Sequence, residues 1–103
     1  MTAVIVTAVF YPAAGQKDQL VQALHATMPA VHEEQGCRLY AIHDADDDTI
    51  TMIEKWDSAA DLQAHSTSPA VEALRAAVAP YVAKPATVTT MTALPVGGAA
   101  GTL

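Results

Sequence analysis

Residues 3–11, AVIVTAVFY, constrain this chain more than any other stretch. The run is β-branched and aromatic, and Pro12 cannot continue a hydrogen-bonded ladder, so it predicts a strand. One parity holds Val4, Val6, Ala8 and Phe10; the other holds Ile5, Thr7, Val9 and Tyr11. A strand with one face in water alternates apolar and polar residues, and this one does not. Each side of whatever sheet it joins therefore needs a cover.

The rest of the chain limits what that cover can be. At 103 residues there is material for one domain and one modest core. Gly15 closes a turn, and a helix is predicted over Gln16–Gln35, with Leu20, Leu24, Met28 and Val31 as its buried stripe. Pro29 deprives the His25 carbonyl of its partner, so a kink or break is expected there, and Gly36 ends the helix. Strands predicted at Cys37–Asp44 and Thr49–Trp56 flank the acidic turn Ala45–Asp48, which reads as a hairpin. Ser58 opens S-A-A-D, a capping pattern with Asp61, and a short helix follows to His65. Ser68-Pro69 starts another helix with Val71, Leu74, Ala77 and Val78 on its apolar face, and Pro80 stops it. Ala86–Leu94 is Thr-rich and β-branched, a fourth strand. The expected organisation is a single domain over residues 1–95 and a flexible tail over 96–103, VGGAAGTL without its leading Pro95.

The order βαββαβ is the ferredoxin-like α+β arrangement, an antiparallel sheet with its helices on one face. Strand four repeats the problem of strand one, since Val88 and Met91 put apolar groups on both of its faces. No helix is left over for the second face. The expectation is a homodimer that packs sheet against sheet.

Charge and composition narrow the function classes. A net charge of −6 with five Lys and Arg offers no footprint for phosphate backbones, so no nucleic-acid partner is expected. The longest apolar runs are about nine residues, against the roughly 20 that a membrane-spanning helix needs. The start, MTAVIV, lacks the basic residues and cleavage site of a signal peptide. One cysteine cannot form an internal disulfide, which fits a cytoplasmic protein. His25, His32, His43 and His65 include no i, i+4 pair, and Asp44, Asp46, Asp47 and Asp48 lack the glycine and distal glutamate of a calcium loop, so no metal is expected. Cys37 has no nearby base in sequence and reads as a packed small residue.

The groups able to do chemistry gather between Tyr40 and His65. On strand three, Ile50, Met52, Glu54 and Trp56 share a face, and a carboxylate in that apolar row is costly unless it is paired or functional. Arg38 on the neighbouring strand is one candidate partner for Glu54. Trp56 reads as core or as a pocket wall, His65 as a helix cap or a site residue, and Tyr40 as core or a pocket hydroxyl.

The runs E-Q-G-C-R-L-Y at 34–40, I-E-K-W-D-S at 53–58 and L-Q-A-H-S-T-S-P at 62–69 resemble the antibiotic biosynthesis monooxygenase family, of the dimeric α/β-barrel superfamily. The resemblance covers residues 3–94. It implies a ferredoxin-like subunit, a dimer through the sheets, and a pocket between sheet and helices for a flat, often aromatic substrate. Members include cofactor-free oxygenases of quinols and anthrone-like polyketides, haem-degrading enzymes and isomerases of small sugar phosphates. Tyr40, Glu54, Trp56 and His65 match the family pattern. The chain has no Asn, on which the anthrone oxygenases and haem degraders depend, and Ser68–Ala79 has no His to ligate haem iron.

The function expected from these residues is a cofactor-independent monooxygenase that oxidises a small quinol-like or polyketide-type aromatic with O₂. His65 is the expected base, because imidazole exchanges protons near neutral pH. Glu54 is expected to orient or polarise the substrate, and Tyr40 and Trp56 to bind it. No cofactor is called for. The alternative is a non-oxidative isomerase of a small carbonyl compound, or a ligand-binding dimer without turnover.

Overall fold

The structure is a computed structural model that describes residues 2–103. Met1, with which the expected domain begins, lies outside the described residues. Four strands, β1 (Val4–Pro12), β2 (Cys37–Asp44), β3 (Ile50–Trp56) and β4 (Val82–Thr92), form one antiparallel sheet in the order β2-β3-β1-β4. Helices α1 (Lys17–His32), α2 (Ala59–Ser66) and α3 (Pro69–Val78) complete the ferredoxin-like α+β fold.

The register decides which residues meet. Val6 lies opposite Glu54, Ala8 opposite Met52, and Phe10 opposite Ile50, while Tyr40 on β2 flanks Glu54 from the other side. Directly opposed residues share a face, so these side chains form one surface. All of them are buried, and with Leu20, Leu24, Met28 and Val31 of α1 they make the core. Leu20, Leu24 and Val31 retain no exposed surface, and each contributes about 1.5–3 kcal/mol by its burial.

The expected break at Pro29 is absent, and α1 runs through it to His32. Pro29 is exposed and costs the bond to His25, also exposed, whereas buried Met28 and Val31 hold the turn against the sheet. The helix stops three residues short of the predicted Gln35, and Gly36 turns the chain into β2 at φ +79°, a conformation that suits glycine. Strand β4 begins at Val82 rather than Ala86. It is an edge strand, where Pro85 does not interrupt a ladder, and its register shifts beside Lys84.

The second half of the fold is capped as its serines predict. Ser58 accepts from the Asp61 amide at 3.1 Å, and Ser68 from the Val71 amide at 3.1 Å. The acidic hairpin is a structural turn, in which Asp47 accepts from the Thr49 amide at 3.1 Å and Lys17 reaches Asp44 at 3.0 Å. In the tail the Val96 amide donates to the Gly101 carbonyl at 3.2 Å, and Lys55 Nζ donates to the Leu103 carbonyl at 2.6 Å. Among the described residues no helix is long and apolar enough to cross a membrane.

On the other side of the sheet lie Ile5, Thr7 and Val9 of β1, Leu39 and Ala41 of β2, Ile53 of β3 and Met91 of β4, in register with one another. These residues are only partly covered, and Met91 is exposed.

Candidate functional site

A cavity of about 650 Å³ opens between the β1/β4 half of the sheet and helices α2 and α3. That volume is in the range of small-molecule sites. Its wall is mostly apolar, with Val6, Ala8, Phe10, Leu74, Val78 and Val82 prominent, and its polar groups include Tyr40, Glu54, His65 and Arg75. The capped junction between α2 and α3 sets His65 in place, as the Ser68 amide donates to the His65 carbonyl at 3.0 Å.

His65 and Glu54 are the two buried polar residues among those described, each 6% exposed. Nδ1 of His65 is bonded to Oε1 of Glu34 at 2.7 Å. A carboxylate only accepts, so Nδ1 carries the hydrogen and Nε2 is left as the basic nitrogen on the ring. The ring is held on two further sides: its centroid lies 4.5 Å from that of Trp56, tilted by 31°, and 5.4 Å from that of Tyr40, edge on at 70°. The helix-cap role weighed for His65 is not its side chain's, which spends Nδ1 on Glu34.

Glu54 does not pair with Arg38. A register shift between Cys37 and Leu39 turns Arg38 away, and its guanidinium forks onto Asp57 at 2.7 and 2.8 Å. Glu54 Oε1 instead accepts from Trp56 Nε1 at 2.9 Å. Burial pushes the Glu54 carboxyl above its ordinary value of 4.5, while the indole bond and, when its ring is protonated, His65 pull it partly back. Glu54 is thus held toward its protonated form. The Tyr40 phenol is raised well above its usual 10, first by burial and then by the charges of Glu54 and Glu34. It is a neutral hydroxyl at any physiological pH.

Of the four residues the sequence singled out, Tyr40, Glu54 and His65 line the cavity together. Trp56 is placed differently, wholly buried behind Glu54 and His65, with its N–H committed to Glu54 and not to the cavity. Two residues at the site were missed. Glu34 heads the E-Q-G-C-R-L-Y run, but no local pattern shows that it meets a histidine 31 positions away. Its Oε2 is buried with no hydrogen-bond partner. Arg75 follows Leu74 on the rim of the apolar face of α3, which is the one hint of its position in sequence.

Cys37 packs against the core, and burial raises its thiol, so it is not an activated nucleophile. No group of three or more His, Cys, Asp or Glu is placed to hold a metal among the described residues.

The same fold recurs in other proteins. Rv0793 from Mycobacterium tuberculosis is 28% identical, with a TM-score of 0.81 over 95% of this chain and 99% of that one. PA3566 from Pseudomonas aeruginosa is 22% identical, with a TM-score of 0.80 over 91% and 96%. A protein from Caulobacter crescentus CB15, 18% identical, has a TM-score of 0.83 over 90% and 91%, and at such identities the likeness is one of fold. No curated protein matches the chain. Residues 3–77, which hold Glu34, Tyr40, Glu54, Trp56, His65 and Arg75, match the model of the family described as antibiotic biosynthesis monooxygenase. The chain belongs to the antibiotic biosynthesis monooxygenase family.

Proposed function

We propose that this protein is a cofactor-independent monooxygenase acting on a small quinol-like or polyketide-type aromatic. The observation that carries the proposal is His65 on the wall of an apolar cavity sized for a small molecule, its Nδ1 held by Glu34 and its Nε2 given no hydrogen bond by any of the described residues. A deprotonated quinol is its own reductant. His65 takes the phenolic proton, the anion forms a ring C–O bond with O₂, and the resulting hydroperoxide loses water to leave a ring carbonyl. Hydroquinone and O₂ thus become hydroxyquinone and water, and the ring supplies both electrons that reduce the second oxygen atom. Glu54, held toward its protonated form, supplies the proton that leaves with the hydroxide. Tyr40 donates to an oxygen of the substrate, and Trp56 acts through Glu54 and the His65 ring.

The working unit of this proposal is a homodimer through the outer sheet face. All three helices lie on the other face, and Ile5, Leu39 and Ile53 are only partly covered and Met91 is exposed among the described residues.

A proton shuttle between carbons next to a carbonyl is the second reading, favoured by the His65 imidazole and the Glu54 carboxyl, held toward its protonated form, lining one cavity. Oxygen uptake with 1,4-dihydroxynaphthalene, corrected for autoxidation and with no flavin or metal added, separates the two. Uptake that depends on His65 supports oxidation. An unchanged rate in His65→Ala refutes the assigned base, and proton exchange without oxygen uptake favours the isomerase.

A further inference from the structure

Four of the five Lys and Arg side chains are already engaged. Lys17 pairs with Asp44 and Asp48 at 3.0 and 3.6 Å, and Arg38 forks onto Asp57. Lys55 is bonded to the Leu103 carbonyl, and the Lys84 ammonium sits 4.3 Å above the centroid of the Tyr11 ring. Arg75 is the exception. It has no carboxylate partner among the described residues, and its hydrogen bond, from Nη1 to the Ser66 carbonyl, is a long one at 3.3 Å.

A free arginine on an open surface needs no explanation, but this one lines the cavity beside Tyr40, Glu54 and His65. It is the cavity's only Lys or Arg among the described residues. Guanidinium is a planar fork of N–H donors, weakly hydrated and matched to two carboxylate oxygens.

We propose that the cavity takes an aromatic ligand bearing a carboxylate substituent, and that Arg75 is the specificity-determining residue that binds it. The proposal rests on the cavity being the ligand site and is independent of the oxidation. Val6, Ala8, Leu74, Val78 and Val82 take the ring system, and the carboxylate lies toward α3. A chain of net charge −6 repels anions at a distance, so an anionic ligand needs such a local exception. The wall does not oppose it. Glu54 is held toward its neutral form, and Glu34 is turned into His65.

The test is calorimetric binding of 2-naphthoate and its neutral analogue 2-naphthamide, neither of which can be turned over as a quinol. The chain as it stands is expected to bind the carboxylate at least about tenfold more tightly than the amide, with added salt weakening only the carboxylate. Arg75→Gln removes the preference and leaves amide affinity within about twofold; Arg75→Lys, which keeps the charge without the fork, retains part of it. Arg75 is exposed, so an unchanged melting temperature accompanies these effects. Equal affinities for the two probes, a preference that survives Arg75→Gln, or no binding of naphthoate would each overturn the proposal. A naphthoate preference without any oxygen uptake from quinols would instead reject the oxidation and leave this assignment standing.

Discussion

The indole N–H of Trp56 donates to Oε1 of Glu54 from two positions further along the same strand face, at 2.9 Å. Such neighbours are about 7 Å apart along a strand, and the two long side chains together span that distance. The bond gives a buried acid its one protein donor and leaves the other carboxyl oxygen free. Trp56, expected on the cavity wall, instead sets the state of the residue that is on it.

Glu54 should make stability depend on pH with an unusual sign. Its folded value lies above the ordinary 4.5, so the folded chain holds a proton that the unfolded chain releases. Stability therefore falls as pH rises from 4.5 toward the folded value, and the penalty is constant above it. Glu54→Gln keeps an acceptor for the indole and loses the charge, so it should abolish this slope and be the more stable protein at pH 7. Urea denaturation from pH 4 to 8 measures it, and parallel curves for the two proteins would contradict the assignment. Trp56→Phe leaves Glu54 without its donor and should cost about 2–4 kcal/mol.

If His65 is the base, His65→Ala should lower kcat for oxygen uptake by about 10² or more. Glu34→Gln should lower kcat by about tenfold with KM within about twofold, because Glu34 touches the imidazole and not the substrate. A change confined to KM would place Glu34 in binding instead.

Gly36→Ala meets two obstacles. The left-handed backbone costs about 1–2 kcal/mol for a residue with a Cβ, and that Cβ would run into the side chain of Asp61. The double variant with Asp61→Ala should recover part of the steric cost only, because the carboxylate is removed while the Cβ of residue 61 stays in the way. Thermal unfolding of the single and double variants separates the terms; full recovery would show that the backbone contributes nothing.

The outer sheet face should hold the dimer. Ile53 lies at its centre, opposite Thr7 on β1 and Ala41 on β2. Light scattering at micromolar concentration should give twice the 10.7 kDa chain mass, and Ile53→Lys should return it to one chain. A monomeric mass for the unmodified protein would remove the argument drawn from strand β1.

Much of the fold was legible because it is encoded by near neighbours. Spacing of Leu20, Leu24, Met28 and Val31 marks a helix stripe, Ser58 and Ser68 announce caps, and β-branched AVIVTAVFY marks a strand. The acid in the row Ile50, Met52, Glu54, Trp56 was conspicuous for the same reason. Its partner was not. Arg38 stood on the adjacent strand, but one register shift sent it to Asp57 and left Glu54 to the indole. Glu34 and His65, 31 residues apart, meet only when α2 closes over the sheet. By itself the sequence determined the elements, their order and the buried faces, since these follow from side-chain period and local capping. Tertiary structure alone decided which acid meets which base, because a buried polar group bonds to whichever partner the register and helix docking bring within about 3 Å, whatever the distance along the chain.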